Sequence, residues 1–141
     1  SLSAYGVGFH RHNSEIQQEL DLHSKKKVYF NFTPHLTPMF RGILSTTYVD
    51  LKPGVSISNI YKELKNFYKN DFFIKILPLN SLLSTNDVIN TNYCNISVCK
   101  TKHKDKIIIL SAIDNLIKGG AGQAVQNLNS YYKFNSKKGL I

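Results

Sequence analysis

The chain is poor in arginine and cysteine and has no long apolar run. Only two of its 18 basic residues are arginine, and only two of its 141 residues are cysteine. Cys94 and Cys99 lie in one predicted strand, on opposite faces, so we expect neither a bond between them nor a metal pair. Both are expected to be buried thiols in a reducing compartment. The longest apolar run, from Lys106 onward, has the length of a strand, so we expect no membrane partner.

The N-terminal residues contain no basic region followed by an apolar stretch. No secretory signal is therefore visible, and we expect a cytoplasmic protein. Ser1 in place of Met suggests that the chain begins inside a longer sequence. A hydrophobic content of 42% in 141 residues predicts a globular protein, and we find neither repeats nor an internal domain boundary. Residues 1–141 are therefore predicted to form one domain.

Positive charge is abundant, and nearly all of it comes from lysine. The net charge is +9, while arginine occurs only at Arg11 and Arg41. These two positions therefore mark places that need a planar, forked guanidinium, which suits carboxylate and phosphate. Lysine clusters such as 25–27 and 100–106 leave open a basic module that binds anions or nucleic acid, with affinity that falls steeply with salt. No nucleic-acid motif accompanies them, so a solvated surface is favoured and nucleic acid is not the expected partner.

Hydrophobic periodicity predicts a mixture of helices and strands. The stripe in 58–69 is the clearest helical pattern, and residues 92–112 have the pattern of an antiparallel hairpin. Ser14 and Gln17 have capping-box spacing at the start of a short helix. The fold class is predicted to be α+β, with helices covering a largely antiparallel sheet. Helices are predicted at 14–23, 58–69 and 122–134, and strands at 28–33, 42–52, 72–77, 92–99 and 106–112.

The densest motif spans 114–127, where a predicted strand ends at Asp114 and Asn115 and a glycine turn opens a helix. Backbone N–H groups at such a turn are unpaired and favour an anion. Lys118 adds a positive charge beside them. The pattern predicts a phosphate or nucleotide contact. The alternative is a helix entry that is merely eased by the glycines Gly119 and Gly120.

A second cluster of polar residues lies near the start of the chain. If 9–12 is extended, His10 and His12 point the same way, and Glu15 in the following helix could orient one imidazole and fix its tautomer. A metal shared by the histidines has no evident third ligand, so none is expected. The chain contains neither a nucleophile in a strained turn nor a Gly-x-Gly-x-x-Gly turn after a strand. If the protein is an enzyme, its nucleophile and cofactor domain lie elsewhere.

Three motifs together resemble those of N-acetyl-gamma-glutamyl-phosphate reductase, a family of arginine biosynthesis. The resemblance extends from about residue 3 to the C-terminus. The motifs are His10-Arg11-His12-x-x-Glu15-Ile16, then Phe32-Thr33-Pro34-His35-Leu36-x-Pro38-Met39-x-Arg41-Gly42-Ile43-Leu44, then Asp114-Asn115-Leu116-x-Lys118-Gly119-x-x-Gly122-Gln123-Ala124-Val125-Gln126-Asn127.

The resemblance implies a substrate-binding and dimerisation domain of the glyceraldehyde-phosphate dehydrogenase C-terminal type, in a homodimer or homotetramer. It also implies that the last helix returns to an N-terminal dinucleotide-binding domain that is absent from this chain. The apolar face of that helix should then be poorly covered. This face contains Ala121, Ala124, Val125 and Leu128.

The family chemistry implied is reduction of an acyl phosphate by NADP(H), through a cysteine thioester, to a semialdehyde with release of phosphate. The cysteine is not in this chain, so the chain alone is expected to be inactive. The expected substrate is N-acetyl-glutamyl 5-phosphate, and an amino-adipate phosphate attached to a carrier protein is the alternative. His10 is implied as the catalytic acid–base group, although an exchange of roles with His12 stays open. The other implied site residues are His12, Tyr5, Glu15 and Arg41 for the substrate and Asn115, Lys118 and Gly119 for the cofactor.

Overall fold

The computed structural model describes residues 1–141 and forms two compact units, Ser1–Phe40 and Arg41–Ile141. The sequence indicated no internal boundary, so this division is a feature that the composition did not predict. A single functional domain over 1–141 stays a prediction. No helix of the chain combines the length and the apolar character needed to cross a membrane.

The first unit is built around one helix and a pair of very short strands. Strand β1 (Ser3–Ala4) pairs antiparallel with strand β2 (His35–Leu36), and helix α1 (His12–His23) lies between them in the chain. The backbone N–H of Tyr5 donates to the carbonyl oxygen of Pro34 at 3.1 Å and extends the pairing. The two ends of the unit are thereby held side by side.

The predicted strand over 28–33 is wrong, because these residues have no strand partner. The side-chain Nε2 of Gln17, on α1, donates to the carbonyl oxygen of Val28 at 3.0 Å. A helix side chain thus bonds this backbone group, which a neighbouring strand would otherwise pair. Alternation of apolar and polar residues favours a strand, but it does not supply a strand to pair with.

The predicted capping box of α1 is also wrong. The helix begins at His12, and its N-cap residue Arg11 accepts no hydrogen bond through its side chain. The hydroxyl of Ser14 donates to the carbonyl oxygen of Arg11 at 2.9 Å, so it does not cap the helix. Gln17, the expected second half of the box, donates to Asp21 at 2.9 Å.

The second unit contains a four-stranded sheet in the order β3-β6-β5-β4. Strand β6 pairs antiparallel with both β3 and β5, and β4 pairs with β5 in parallel. The α+β class and the largely antiparallel sheet are confirmed. Its elements are β3 (Ile43–Asp50), α2 (Ile57–Phe67), β4 (Ile74–Ile76), a 3₁₀ turn (Thr85–Asp87), β5 (Cys94–Lys100), β6 (Lys106–Ile113), a π-helical turn (Ile117–Ala121) and α3 (Gly122–Tyr131).

Helix α2 starts where its sequence provides a cap. The hydroxyl of Ser56 accepts from the backbone N–H of Asn59 at 3.2 Å, and the Asn59 side chain accepts from the backbone N–H of Ser56 at 2.9 Å. These two bonds form a capping box that satisfies N–H groups of the first turn. The helix packs against β5.

The core lies around β5 and β6, as the predicted hairpin required. The two strands pair from Cys94↔Ile113 to Lys100↔Ile107. Strand β3 is an edge strand, and every one of its residues except Val49 is exposed. Helix α2 therefore covers β5 at the centre of the sheet, and the β3 edge is left open. The buried apolar residues are Phe73, Val88, Val98, Ile107 and Ala112.

The start of α3 lies so close to Asn92 that position 122 has no room for a side chain. A Cβ atom at Gly122 would lie 2.5 Å from Oδ1 of Asn92 and 2.6 Å from Cγ2 of Ile117. We expect Gly122→Ala to lower the free energy of unfolding by roughly 1–3 kcal/mol, as overpacking does. Chemical denaturation followed by circular dichroism measures this loss.

The control is Gly119→Ala, three residues earlier. The nearest contact of its Cβ would be the flexible end of Ile113, at 3.3 Å, and the next, the Asp114 carbonyl oxygen at 3.5 Å, is an ordinary van der Waals contact. We expect this variant to change the free energy of unfolding by less than about 1 kcal/mol. Equal losses in the two variants would contradict the steric explanation.

Candidate functional site

His10 lies at the centre of an aromatic cluster in the first unit. The centroid of its ring lies 5.2 Å from that of Tyr5, 4.6 Å from that of His12 and 5.5 Å from that of Phe32. All three contacts are edge-to-face, the arrangement that aromatic rings favour. The structure therefore brings together three predicted site residues and adds Phe32, to which the sequence assigned no role.

A tight turn at Gly6 creates this cluster. The backbone N–H groups of Phe9 and His10 both donate to the carbonyl oxygen of Gly6, at 3.1 and 2.9 Å. Gly6 has φ of +58°, and a Cβ there would lie 3.0 Å from the His10 ring. Residues 9–12 are therefore not extended, which was the condition under which the sequence placed the two histidine rings on one face. The histidine rings meet because a turn leads directly into α1.

The backbone sets the protonation pattern of the His10 ring. The N–H of His12 donates to Nδ1 of His10 at 3.2 Å. A backbone N–H can only donate, so Nδ1 carries no proton and the neutral ring carries its proton on Nε2. Nε2 is thus the nitrogen of His10 that is left for a substrate.

Glu15 is not the residue that orients His10 in this structure. It lies exposed in the first turn of α1 and forms neither a hydrogen bond nor an ion pair. The orienting contact that the sequence assigned to its carboxylate comes instead from the backbone of His12. A substrate contact of Glu15 stays a prediction. Nowhere in the chain do three His, Cys, Asp or Glu side chains form a metal-ligating group.

The carboxylate of Asp114 is the buried centre of the candidate residues in the second unit. Its side chain is fully inaccessible to solvent. Oδ1 accepts from the backbone N–H groups of Leu116 and Ile117, at 2.8 and 2.9 Å. Oδ2 accepts from the N–H of Asn90 at 2.8 Å and lies 2.7 Å from Nε of Arg41. The sequence singled out Asp114 but gave it no role.

The groups around the Asp114 side chain determine whether its carboxyl group is ionised. Burial raises its pKa, but the N–H groups of Asn90, Ile117 and Leu116 and the Arg41 guanidinium outweigh burial. The pKa of Asp114 therefore lies below its ordinary value, and the group is a carboxylate at neutral pH.

The predicted row of unpaired N–H groups at the glycine turn is wrong. Leu116 and Ile117 donate to the Asp114 carboxylate, while Gly119 donates to the Asp114 carbonyl at 2.9 Å and Ala121 to that of Leu116 at 2.9 Å. An anion does stabilise this turn, but it belongs to the chain itself. These bonds favour the alternative that the sequence left open, a structural entry to α3, and a phosphate or nucleotide contact at this turn stays a prediction.

Two of the residues predicted to meet the cofactor are engaged within the chain. Oδ1 of Asn115 accepts from the backbone N–H of Gly42 at 2.7 Å. Nζ of Lys118 donates to Oε1 of Gln126 at 2.8 Å, and the same oxygen accepts from Nδ2 of Asn92 at 2.9 Å. Lys118 is thus bonded to a side chain of α3.

Cys94 lies near Lys118, and both cysteines are half-buried, so the expectation that they are buried thiols is wrong. Both Cys94 and Cys99 are free thiols. Burial raises the pKa of Cys94, against the opposite effect of Lys118. Burial likewise lowers the pKa of Lys118, against the opposite effects of Cys94 and Asp71. A raised thiol pKa leaves little thiolate, so Cys94 is a poor nucleophile.

The candidate residues form two groups, one in each compact unit. The first offers imidazole nitrogens, and the second offers one guanidinium held by a carboxylate. Asp114, Phe32 and Gln126 were missed as functional positions. An acidic residue just before a turn is an Asx-turn signal, which could have identified Asp114 as the acceptor of the turn N–H groups. The first group contains Tyr5, His10, His12 and Glu15, and the second Arg41, Asn115, Lys118 and Gly119.

The Asp114 carboxylate should make stability depend on pH. Because its folded-state pKa is lowered from the ordinary 3.8, its contribution is complete above about pH 4 and is lost as the pH falls through the folded-state value. Asp114→Asn should lower the free energy of unfolding at pH 7 by roughly 3–5 kcal/mol, because it leaves buried donors unpaired. Urea titrations between pH 2 and 7 should show a shallower acid decline in the variant. Parallel declines would contradict this origin.

Two curated relatives are similar to nearly the whole chain. N-acetyl-gamma-glutamyl-phosphate reductase from Clostridium kluyveri is 46% identical over 140 residues, which cover 99% of this chain and 41% of the relative. The protein of the same name from Pelobacter propionicus is 49% identical over 138 residues, which cover 97% of this chain and 40% of the relative. The chain thus spans about two fifths of the length of the curated relatives it matches.

Solved structures support the fold. Aspartate semialdehyde dehydrogenase from Francisella tularensis matches with a TM-score of 0.67 and 17% identity, over 94% of this chain and 39% of that protein. Aspartate semialdehyde dehydrogenase II from Vibrio cholerae matches with a TM-score of 0.63 and 17% identity, over 84% and 35%. The family described as semialdehyde dehydrogenase, dimerisation domain, matches residues 1–115. The resemblance read from the three motifs is confirmed, and the chain belongs to the semialdehyde dehydrogenase dimerisation-domain family.

Proposed function

We propose that this chain is the substrate-binding and dimerisation part of an NADP-dependent reductase that converts N-acetyl-glutamyl 5-phosphate to N-acetyl-glutamate 5-semialdehyde. The supporting observation is identity of 46% and 49%, over nearly all of the chain, to relatives that carry the name of this reductase. The protein works in the cytoplasm, in arginine biosynthesis. Its thioester-forming cysteine lies outside this chain.

The histidine pair provides the proton chemistry of the proposed reaction. His10, held by the His12 backbone, presents Nε2–H. Such a group donates to the carbonyl oxygen on which negative charge develops when a thiolate attacks. The ring of His12 makes no hydrogen bond and is free to accept a proton or contact the substrate. The two histidines therefore differ in role because they differ in hydrogen bonding.

Residues of this chain make at most a small part of the cofactor site. NADPH, when bound, supplies the hydride. The N–H of Gly119 is bonded to the Asp114 carbonyl oxygen and does not fit a phosphate group as placed. Lys118 uses one of the three donors of its ammonium group on Gln126 and keeps two for an anion. Asn115 keeps its amide Nδ2 as a donor, because only its oxygen is bonded to Gly42. We therefore assign cofactor binding mainly to a dinucleotide-binding domain outside this chain.

The apolar face of α3 is the surface that this outside domain would cover. The sequence predicted that the face is poorly buried, and this exposure is confirmed: Ala121 and Ala124 are exposed, Val125 is 39% exposed and Leu128 is 51% exposed. Apolar side chains grouped on one helix face lose solvent contact when a partner packs on them. We propose that the dinucleotide-binding domain is this partner.

The open β3 edge is the surface that we propose for dimerisation. Ile43 and Leu44 are each 47% exposed, and Tyr48 is 77% exposed. An edge strand with exposed apolar residues is a ready pairing surface unless something covers it. A second copy in a homodimer, or further copies in a homotetramer, would cover it.

The first functional test uses the full-length protein and three variants. We expect His10→Ala to lower kcat/KM by roughly a hundredfold or more. His10→Gln should recover about tenfold of this loss, because its amide nitrogen can donate where Nε2–H does. NADPH oxidation with N-acetyl-glutamyl 5-phosphate, and separately with an amino-adipate phosphate on its carrier, measures the rates. His23→Ala, an exposed histidine at the other end of α1, is the control.

Each outcome of this assay has a defined meaning. Full activity in His10→Ala would sink the assignment of His10. Equal losses in His10→Ala and His10→Gln would exclude the donor role and favour direct proton transfer by this ring. Turnover of the amino-adipate substrate alone would replace the proposed substrate by its longer relative.

A second test concerns the α3 face. In the full-length protein, Leu128→Glu should lower the free energy of unfolding by roughly 2 kcal/mol, because it prevents burial of a leucine side chain. It should also weaken NADPH binding if the covering domain holds the cofactor. Ser130→Glu adds the same charge at another exposed position of α3 and is the control. Thermal unfolding with and without NADPH measures both effects. Identical behaviour of the two variants would rule out the proposed contact.

A further inference from the structure

Asp114 and Asn115, which directly follow β6, contact Arg41 and Gly42, which directly precede β3. Oδ2 of Asp114 lies 2.7 Å from Nε of Arg41, and Oδ1 of Asn115 accepts from the N–H of Gly42 at 2.7 Å. The ends of β3 and β6 beyond the pair Ile43↔Ile113 are thus joined twice. Two contacts at neighbouring positions restrict the backbone from which the Arg41 side chain extends.

The Arg41 side chain is anchored at one edge and accessible at another. Its Nε is buried and lies beside the carboxylate, while the side chain as a whole keeps 22% of its exposure. That exposure comes from atoms other than Nε. The second carboxylate oxygen, Oδ1, is taken by Leu116 and Ile117. The usual two-oxygen fork with arginine is therefore replaced by a contact at Nε.

A contribution to folding stability does not by itself explain why Arg41 and Asp114 form an ion pair here. Replacing a buried ion pair by apolar residues is often neutral or stabilising. This chain uses arginine at only two of its 18 basic positions. Arginine differs from lysine because its donors are spread along a rigid plane, so one edge can bind a carboxylate while another binds an anion.

We propose that Asp114 is a positioning residue that binds Arg41 through Nε so that the terminal guanidinium nitrogens receive an anionic oxygen of the acyl-phosphate substrate. This inference rests on the proposed function, which supplies such a substrate. Asp114 itself is fully buried and touches no ligand; it acts through Arg41. A planar guanidinium that is already held in place loses less freedom when it binds phosphate or carboxylate.

The test is a kinetic cycle in the full-length protein with Asp114→Asn, Arg41→Lys and the double variant. The amide of Asp114→Asn keeps the size of the side chain but turns a donor or a weaker acceptor toward Arg41. We expect each single variant to raise KM for the acyl phosphate about tenfold or more, with kcat per mole of folded protein within about threefold of the wild type. Circular dichroism gives the folded fraction of each variant. The double variant should be no worse than either single variant, because both remove the same anion contact.

A purely structural role gives a different pattern. It would leave KM for the acyl phosphate unchanged in both single variants, with any loss of kcat explained by the smaller folded fraction of Asp114→Asn; this pattern overturns the proposal. A rise of KM for NADPH alone would also overturn it, since the anion would then belong to the cofactor. If Asp114→Asn does not fold, Arg41→Lys decides the matter, because it leaves the turn bonds of Asp114 in place. An unchanged KM in that variant counts against the proposal.

The matched control is an ion pair between the same two strands at their opposite end. Lys106 on β6 pairs with Asp50 on β3, and both side chains are largely exposed. Asp50→Asn removes a carboxylate–cation contact of the same kind. Its KM for the acyl phosphate should equal that of the wild type. A similar rise of KM in Asp50→Asn would show that the loss of substrate affinity is not specific to the contact between Asp114 and Arg41.

The proposed function can fail independently of this inference. If the wild type turns over neither acyl phosphate, the proposed reductase function fails. Inorganic phosphate then serves as the probe, in thermal-shift titrations of the wild type, Asp114→Asn and Arg41→Lys. Stabilisation of the wild type that is lost in both variants supports the positioning role. Equal stabilisation of all three proteins, or none of the wild type, overturns it.

Discussion

Much of the second unit depends on one carboxylate that has no access to water. Asp114 ends β6, and three backbone N–H groups and one guanidinium nitrogen converge on its two oxygens. Burying such a charge is costly unless every lone pair finds a donor. Here the hydrogen-bond donors come from the segment at Asn90 and from the turn at Leu116 and Ile117, and Arg41 before β3 adds an ion pair. The same group therefore fixes where one strand begins, where another ends and how the last helix is entered.

The first unit also depends on a hydrogen bond between a backbone N–H group and a side chain. A single backbone N–H, that of His12, selects which nitrogen of His10 carries the proton. The surrounding rings of Tyr5 and Phe32 then hold the imidazole edge-on. In both units the backbone at the start of a helical segment donates to a side chain, and that side chain becomes fixed. The chain is thus proposed to supply a proton donor and an anion contact, while the thiol and most of the cofactor site are proposed to lie in another domain.

Hydrophobic periodicity predicted the parts of the fold in which burial decides the structure. The hairpin of β5 and β6, the strand β3 and the helix α2 all follow from apolar spacing and turn residues. The cap of α1, the strand over 28–33 and the free N–H groups of the glycine turn were predicted wrongly. In each of these places a backbone group is bonded by a side chain that a local pattern does not identify. Gln17 takes the carbonyl of Val28, and the Asp114 carboxylate takes the turn N–H groups.

For the candidate site, the sequence identified the residues better than their contacts. Tyr5, His10 and His12 do meet, but through a turn at Gly6 and not along an extended strand. Arg41 was expected at an anion, and its first partner proves to be an anion of the chain itself. The spacing of a motif identifies which residues belong to the candidate site. Distances between segments that are tens of residues apart depend on the folded sheet, and no local pattern contains them.

The π-helical turn Ile117–Ala121 restricts how the length of this segment can vary. Its backbone hydrogen bonds join residues five apart, as in Gly119 to Asp114 and Ala121 to Leu116, and Gly120 departs from helical dihedral angles. Removal of one residue from this segment would rotate α3 by about 100° relative to the residues before it. Gly122 would then leave the space beside Asn92 that only a glycine fits. Exposed glycine-rich connections usually tolerate insertions and deletions. This one should accept neither, because its residue count sets the direction in which the whole last helix faces.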